Sequence, residues 1–397
     1  MSTSPGYRQG EFTSDGATDE GVTVAALDAA GIAPVSVTRN FKLFVPGPVE
    51  MDETVRVAGS RRLPYMRTEE FSKLTLEVVE GLRLLLETGG EVALLTSSGT
   101  GAMEAAVSSL FGPSDRVLVV DGGTFGRRFR TLCEIHGIPH EAVEPGERLD
   151  FDELARRVGR GFSGVLVAAH ETSTGELLDV ESLGRALKGR GVVFVVDAMS
   201  TLLADSFRMD EWGVDATLFS TQKGLALPPG MAFVALNARA AERARRAPRR
   251  TLYFHLADYL ADGLRGQTPY TVAVGLMLQL QARLSAVHAV GVASIVAETA
   301  SRAAAFRAAI ADLPVSISAR RPSNAITALR LDVSAPSAPW LVKELADRFG
   351  YYVAPNPAPL RDRAFRVSHM GSQTVEDVIR LAEALRALLR ENTQEYQ

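Results

Sequence analysis

Short, uninterrupted apolar runs alternate with helical stretches between residues 92 and 196, and this alternation constrains the fold more than any other feature of the chain. The apolar runs lie at 92–95, 116–120, 164–169 and 192–196, and the helical stretches lie at 102–111, 126–136 and 180–188. Strands that are apolar at every position are typical of a parallel sheet covered by helices on both faces. The sequence therefore predicts an α/β domain.

The rest of the chain suggests three parts. Residues 1–40 begin with a stretch rich in Ser, Thr, Gly and Asp, which predicts a partly disordered tail. Residues 41–285 contain the α/β pattern and are expected to form a large domain. Residues 286–397 are expected to form a smaller α+β domain, and a long helical region at about 272–313 is predicted to bridge the two.

Composition excludes several classes of function. The net charge is −4 and no long basic run occurs, which argues against nucleic-acid binding. No stretch of roughly 18 apolar residues is present and the first residues do not resemble a secretion signal, so we expect no membrane segment and a cytoplasmic location. The single Cys133 cannot form an intramolecular disulfide or a cysteine metal cluster, and no metal site is predicted.

One lysine stands out at the end of a strand-like run. Residues 217–223 read T-L-F-S-T-Q-K and are followed by a Pro-Pro-Gly turn and a second apolar run, which places Lys223 at the mouth of a sheet. The chain has only five lysines, whereas arginine is abundant. An amine, unlike a guanidinium, can lose its proton and attack a carbonyl to form a Schiff base. We therefore interpret Lys223 as a candidate covalent anchor for a cofactor, although a solvated strand end is the simpler alternative.

Three further segments follow predicted strands. Residues 95–101 (L-T-S-S-G-T-G) lead into a helix whose first N–H groups and hydroxyls suit a phosphate, although an ordinary capped helix would look similar. Residues 192–200 end in V-D-A-M-S, which puts Asp197 where ligands bind in open α/β sheets, or where it caps the next turn. Residues 170–175 (H-E-T-S-T-G) form a polar cluster that alone is typical of a solvated loop.

The glycine-rich segment also has a rival interpretation. Gly99-Thr100-Gly101, followed by Asp121 at the next strand end, partly matches a dinucleotide-binding fingerprint. Glu104 stands where that fingerprint needs a third Gly or Ala, so this match is weak.

Taken together, the motifs resemble the class V, fold-type I pyridoxal-phosphate aminotransferases, in the branch of alanine-glyoxylate, serine-glyoxylate and 2-aminoethylphosphonate-pyruvate transaminases. The resemblance covers about residues 42–390, and the motifs that carry it are S-G-T-G at 98, H-E-T-S-T-G at 170, V-D-A-M-S at 196, S-T-Q-K-G at 220, Q-T-P-Y-T at 267 and F-R-V-S-H-M-G at 365. It implies a large domain with a mainly parallel, seven-stranded sheet and a small C-terminal domain. It also implies a ping-pong transfer of an amino group from a small amino acid or aminophosphonate to a 2-oxo acid such as pyruvate or glyoxylate.

The resemblance also implies roles for individual residues. Lys223 would hold pyridoxal 5'-phosphate as a Schiff base and shuttle a proton, and Asp197 would pair with the pyridine nitrogen. The other cofactor-binding residues would be Ser98, Gly99, Thr100 and Gln222 at the phosphate, Phe125 and Met199 on the two faces of the ring, and Thr172 at the ring oxygen. Without the resemblance, Phe125 and Met199 would be interpreted as core residues.

Substrate and subunit contacts are implied in the same way. Arg366 would bind the substrate carboxylate with its planar guanidinium, and Thr268 would reach the phosphate in a second subunit, so a homodimer with shared active sites is expected. Met66 stands where the family often has a histidine before Arg67. His369 is interpreted as structural.

Two other functions are weighed. A lyase or cysteine desulfurase has the same fold, but a desulfurase needs a cysteine on a mobile loop, whereas Cys133 lies in a predicted amphipathic helix. A non-catalytic module that binds pyridoxal phosphate is the alternative from another class. The sequence does not identify the amino donor.

Overall fold

Fourteen strands and twelve helices make up the part of the chain that this structure describes, a computed structural model in which residues 41–395 are placed, apart from 145–149 and 160. The strands are β1 (Lys42–Phe44), β2 (Glu91–Leu95), β3 (Val117–Val120), β4 (His140–Val143), β5 (Gly164–Ala168), β6 (His170–Glu171), β7 (Glu176–Leu177), β8 (Val193–Asp197), β9 (Ala216–Ser220), β10 (Ala232–Leu236), β11 (Val315–Ile317), β12 (Ile326–Leu331), β13 (Tyr351–Pro355) and β14 (Ala364–Ser368). The helices are α1 (Glu53–Gly59), α2 (Glu69–Leu86), α3 (Gly99–Leu110), α4 (Thr124–Ile135), α5 (Phe151–Val158), α6 (Val180–Leu187), α7 (Ala238–Arg246), α8 (Leu256–Gly263), α9 (Val274–Val290), α10 (Val292–Ala309), α11 (Ala338–Phe349) and α12 (Val375–Glu395). The tail predicted for residues 1–40 lies outside the described residues.

The central sheet has seven strands in the order β2-β10-β9-β8-β5-β3-β4. Only β10 runs against its neighbours, since it pairs antiparallel with both β2 and β9 while the remaining pairs are parallel. The α/β fold with a mainly parallel sheet is therefore confirmed. The parallel strands point their carboxyl ends to one edge of the sheet.

Both faces of this sheet are buried, which explains why its strands are apolar at consecutive positions. In β3, Leu118 and Val120 belong to one hydrophobic cluster, whereas Val117 and Val119 belong to a second cluster on the opposite face. The first cluster includes apolar residues of α2, α5, α6 and α9, and the second includes those of α3, α4, α7 and α8. Most polar side chains of this sheet consequently lie at the strand ends, and Thr217 inside β9 is a fully buried exception.

A second sheet contains five strands in the order β1-β13-β14-β12-β11. Its first strand comes from residues 42–44 and pairs in parallel with β13, so the start of the described chain joins its C-terminal part. A third hydrophobic cluster lies between this sheet and α10, α11 and α12, with Phe306, Phe365 and Leu385 among its fully buried members.

The long helix predicted at about 272–313 is wrong as a single element. Gly291 adopts a φ of 93° and separates α9 from α10, and the two helix axes differ by 87°. A positive φ suits glycine because other residues are strained there. No described helix is by itself long and apolar enough to cross a membrane, and α9 and α10 pass that test only as a bent pair. The predicted domain boundary at residues 285 and 286 falls within α9, and the division into domains remains a prediction.

The close packing beside Lys223 leads to a stability prediction. A methyl group at Gly224 would overlap the carbonyl oxygen of Leu202, whereas a methyl group at Gly263 would meet no atom within 4 Å. We expect Gly224→Ala to lower the free energy of unfolding by about 1–3 kcal/mol, because overpacking forces the backbone to shift. Gly263→Ala is the matched control and should leave it unchanged or slightly higher. Urea titration of both variants measures this, and equal stabilities would contradict the packing argument.

Candidate active site

A tight turn after β9 presents Lys223 at the carboxyl edge of the central sheet. The hydroxyl of Thr221 donates to Pro228 O at 2.7 Å, and Ala226 N donates to Lys223 O at 2.8 Å, which closes the turn. The amine of Lys223 donates to Pro46 O at 2.8 Å. Gly47 packs so closely that a Cβ there would lie 3.1 Å from this amine. The segment before Val49 therefore fixes the direction of the lysine.

Lys223 is half-buried, and this burial changes the protonation of its amine. Burial lowers the pKa of Lys223 to about 8, while the negative charge of Asp197 opposes that shift and the guanidinium of Arg366 adds to it. A lysine of this pKa holds a substantial neutral fraction near neutral pH, which a nucleophilic or proton-transferring amine requires.

Asp197 is the last residue of β8 and is 4% exposed. Its Oδ1 accepts a hydrogen bond from Met199 N at 2.9 Å. Burial raises the pKa of Asp197 to about 6, whereas that hydrogen bond and the charges of Lys223 and Arg128 lower it. A cationic group bound beside Asp197 would therefore lower its pKa further and favour the ionised carboxylate.

The segment between β2 and α3 forms a cradle of donors. Ser98 is the N-cap of α3 but makes no side-chain capping bond, and both Ser98 and Thr100 are exposed. The first N–H groups of a helix have no partner within it, so they are available to an anion. A Cβ at Gly99 would come within 2.7 Å of the Met199 sulfur, so any larger residue there would displace the Met199 side chain.

A cavity of about 800 Å³ opens beside Lys223. The predicted site residues that line it are Lys223, Phe125, Thr172 and Arg366. The guanidinium of Arg366 donates to Pro355 O at 2.7 Å, and burial lowers its pKa. The cavity walls come from both large sheets, because Lys223 follows β9 of the central sheet and Arg366 lies in β14 of the second sheet.

The structure does not bring every predicted residue to this cavity. Ser98, Gly99, Thr100, Asp197, Met199 and Gln222 are not among its lining residues, nor is Thr268. The hydroxyl of Thr268 donates to Tyr270 O at 2.7 Å, and its carbonyl oxygen accepts from Arg67 at 2.8 Å. Thr268 thus contacts its own loop rather than the cavity of its own chain.

Buried polar atoms without a hydrogen-bond partner indicate whether the predicted cofactor fits the site. Gln222 Oε1 and Arg366 Nε are buried and have no hydrogen-bond partner among the described residues. Buried polar atoms are usually paired, so Arg366 Nε is placed to donate to an anionic ligand. Gln222 would bond a phosphate through its amide Nε2, since Oε1 can only accept. The donor cradle at Ser98 and the amine of Lys223 fit the two ends of a phosphorylated aldehyde.

Several residues near the site were not singled out from the sequence. Glu171 lines the cavity and holds Ser173 through hydrogen bonds of 3.1 and 2.7 Å. Arg361 also lines the cavity, and Arg128 contacts Thr100. Neither Arg361 nor Arg128 lies in a recognisable motif. Arginine is so common in this chain that its presence alone does not indicate a site.

The surroundings of His369 and Cys133 are consistent with a structural role for each. His369 is fully buried and its Nε2 lies 2.8 Å from the hydroxyl of Thr327. Cys133 is fully buried in α4, and burial raises the pKa of its thiol to about 12, which disfavours the nucleophilic thiolate.

Comparison with known proteins gives consistent matches over most of the chain. The family model described as Aminotransferase class-V matches residues 57–325. The chain is 32% identical to a Synechococcus protein named "Soluble hydrogenase, small subunit", covering 88% of this chain and 93% of that protein. It is 30% identical to the L-aspartate–glyoxylate aminotransferase of Paracoccus denitrificans, covering 85% and 88%. The solved aspartate aminotransferase of subgroup IV from Thermus thermophilus is 32% identical, with a TM-score of 0.81 over 88% of this chain and 99% of that chain.

The pKa of Lys223 yields a prediction about its reactivity. Because only the neutral amine attacks an aldehyde, the rate at which the apoenzyme captures pyridoxal phosphate should rise with pH and level off above about 8, rather than near 10.5 as for an exposed lysine. Stopped-flow absorbance measures the rate, and mass spectrometry after borohydride reduction should locate the adduct on Lys223. The exposed Lys188 supplies the control Lys188→Arg, which should leave the profile unchanged. An adduct on another lysine would sink the assignment.

Proposed function

The chain belongs to the class-V aminotransferases and is a pyridoxal-phosphate-dependent transaminase, and from this premise we propose that it moves an amino group from a small amino acid or aminophosphonate to a 2-oxo acid such as pyruvate or glyoxylate. One observation carries the proposal. The amine of Lys223 and the guanidinium of Arg366 line one cavity, so an anchored amine acceptor and a carboxylate site face the same space.

We propose that the cofactor lies between the cradle and the cavity. Bound pyridoxal phosphate supplies an electron sink for the substrate's Cα. Ser98, Gly99 and Thr100 would hold its phosphate with Gln222, and Asp197 would hold a proton at the ring nitrogen. Phe125 and Met199 would cover the two faces of the ring, and Thr172 would bond its oxygen.

Lys223 has a second task in this proposal. A pKa of about 8 lets its Nζ accept and release a proton near neutral pH, as a general acid and base requires. The hydrogen bond to Pro46 O keeps the amine oriented towards the cavity while it is free. The backbone at Gly47 packs against the lysine side chain on that side.

Arg366 is proposed to bind the substrate carboxylate. Its guanidinium is held at one end by Pro355 O, while its Nε is buried without a partner among the described residues. Leaving a buried donor unpaired is unfavourable, and a carboxylate would satisfy it with a charge-assisted bond. The charge of Glu171 acts on the same guanidinium and helps keep it protonated.

The names of the relatives guide the choice of substrates to test. One relative is named for L-aspartate and glyoxylate, and one solved structure is named for aspartate, so aspartate joins alanine, serine and 2-aminoethylphosphonate as a donor to test. The name of the hydrogenase relative receives no support from the residues, because a single cysteine cannot ligate an iron–sulfur cluster.

An exchange assay tests the function. Each donor is mixed with the holoenzyme alone, and loss of the internal imine absorbance reports the first half-reaction. Glyoxylate or pyruvate is then added, and recovery reports the second half-reaction. Stoichiometric release of the 2-oxo acid in the first step supports transamination, whereas multiple turnover without an acceptor would indicate a lyase. No change with any donor would favour a non-catalytic module.

Removing the guanidinium of Arg366 should affect the substrate more than the cofactor. We expect Arg366→Ala to lower the efficiency of the half-reaction with glyoxylate by roughly two to three orders of magnitude, since losing one partner of a buried charge pair costs about 2–5 kcal/mol. Arg366→Lys should recover part of this, because an ammonium cannot reproduce two parallel bonds.

The exposed Arg330 in the neighbouring strand β12 provides the matched control Arg330→Ala, which should retain wild-type kinetics. Unchanged kinetics in a stable Arg366→Ala enzyme would show that the carboxylate binds elsewhere, with Arg67 as the next candidate. Joint loss of thermal stability and cofactor would instead indicate a structural role.

We also propose that the active unit is a homodimer in which Thr268 reaches the other subunit's phosphate site. Thr268 does not line its own cavity, and Arg67 holds the segment that contains it by donating to the side-chain oxygen of Gln267 and to the backbone oxygen of Thr268. Sedimentation equilibrium of the holoenzyme should give a dimer mass, and Thr268→Ala should weaken pyridoxal phosphate binding. A fully active monomer would contradict this proposal.

A further inference from the structure

Arg128 lies between the two halves of the proposed cofactor site. It is on α4 and its Nη1 donates a hydrogen bond of 3.1 Å to the hydroxyl of Thr100, in the first turn of α3. The centre of its guanidinium lies 4.9 Å from the centroid of the Phe125 ring. Thr100 belongs to the donor cradle, whereas Phe125 lines the cavity, so this one side chain touches both.

The hydrogen bond to Thr100 has a direction that matters. A threonine hydroxyl carries one proton and two acceptor lone pairs, while a guanidinium can only donate. Arg128 therefore occupies an acceptor position on Thr100 Oγ1 and leaves the hydroxyl proton free. Thr100 is exposed, and no other hydrogen bond of its side chain occurs within the described part of the chain, so this proton is available to an anion at the start of α3.

The contact with Phe125 restricts the guanidinium as well. Phe125 and Arg128 are three residues apart on α4, a spacing that places both on the same face of a helix. A guanidinium over an aromatic face is attracted by the electron density of the ring. This contact limits the rotamers of Arg128, which lowers the entropy that its bond to Thr100 must overcome.

The charge of Arg128 also reaches the rest of the site. Its positive charge lowers the pKa of Asp197, which shows that the guanidinium lies within electrostatic range of that carboxylate. A cation beside a helix N-terminus reinforces the positive end of the helix dipole where an anion would bind.

We propose that Arg128 is a positioning residue for the cofactor's phosphate, which holds the hydroxyl of Thr100 so that its proton points to the phosphate. This inference rests on the proposed role of Thr100 and deepens it. Arg128 acts through Thr100, so its effect depends on the presence of both the phosphate and the hydroxyl.

Two probes separate this role from a general effect on folding. We expect Arg128→Met to raise the Kd of the apoenzyme for pyridoxal phosphate about tenfold, since hydrogen bonds to charged groups contribute about tenfold or more in affinity. The Kd for pyridoxal, which lacks the phosphate, should change less than about twofold. Absorbance titration of the apoenzyme measures both constants, and the melting temperature reports folding.

The neighbouring Arg127 is exposed on the same helix, and Arg127→Met is the matched control, expected to bind both probes like the wild type. In a Thr100→Val background, Arg128→Met should add less than about twofold to the Kd for pyridoxal phosphate. If Arg128→Met fails to fold, Arg128→Lys takes its place, with an expected Kd between wild type and the roughly tenfold increase.

Equal losses with pyridoxal and pyridoxal phosphate would overturn the inference and show that Arg128 serves the ring through Phe125. Additive losses in the Thr100→Val background would overturn it too, as would an unchanged Kd in Arg128→Met. These outcomes differ from failure of the proposed function, in which the wild type itself would bind pyridoxal phosphate no better than pyridoxal.

Discussion

The burial of both faces of the central sheet is the constraint on which the site depends. Because helices cover the two faces, strands such as β3 and β8 carry apolar side chains at consecutive positions. Most polar groups are then accommodated where the strands end. In a parallel arrangement those ends meet at one edge, which brings segments near residues 98, 125, 172, 197 and 223 together although they are far apart in the sequence.

The same burial shifts the pKa values of the ionisable groups at this edge of the sheet. Desolvation disfavours charge in either sign, so it lowers the pKa of Lys223 to about 8 and raises that of Asp197 to about 6. Their mutual attraction opposes both shifts, yet burial dominates in each case. The result is a pair of groups whose titrations lie on either side of neutral pH, which suits a site that must hold and move protons.

The second sheet contributes residues to the cavity that the central sheet does not. Its strand β14 carries Arg366 to the wall of the cavity that contains Lys223, and the segment between β1 and Val49 adds Pro46 and Gly47 on another side. A substrate group that reaches Arg366 must therefore lie between elements from the beginning, the middle and the end of the described chain. Arg128 links the cradle to the cavity in a similar way, through Thr100 and Phe125.

The sequence by itself determined the α/β fold with its mainly parallel sheet, because apolar periodicity is local and can be counted, whereas the number of seven strands was implied only by the family resemblance. The rarity of lysine made Lys223 a candidate anchor, and that role remains a prediction. It did not determine that the helical region after residue 272 breaks at Gly291, since glycine within a helical pattern does not by itself decide between a bend and a continuous helix. The partners of Arg128 and the orphaned atoms of Gln222 and Arg366 were decided only by tertiary structure. Arg366 was singled out by the family resemblance, but its unpaired Nε became visible only in the fold. The bond from Arg128 to Thr100 joins residues that are distant in the chain, and nothing in the order of the amino acids distinguishes Arg128 from the many other arginines until the fold places it.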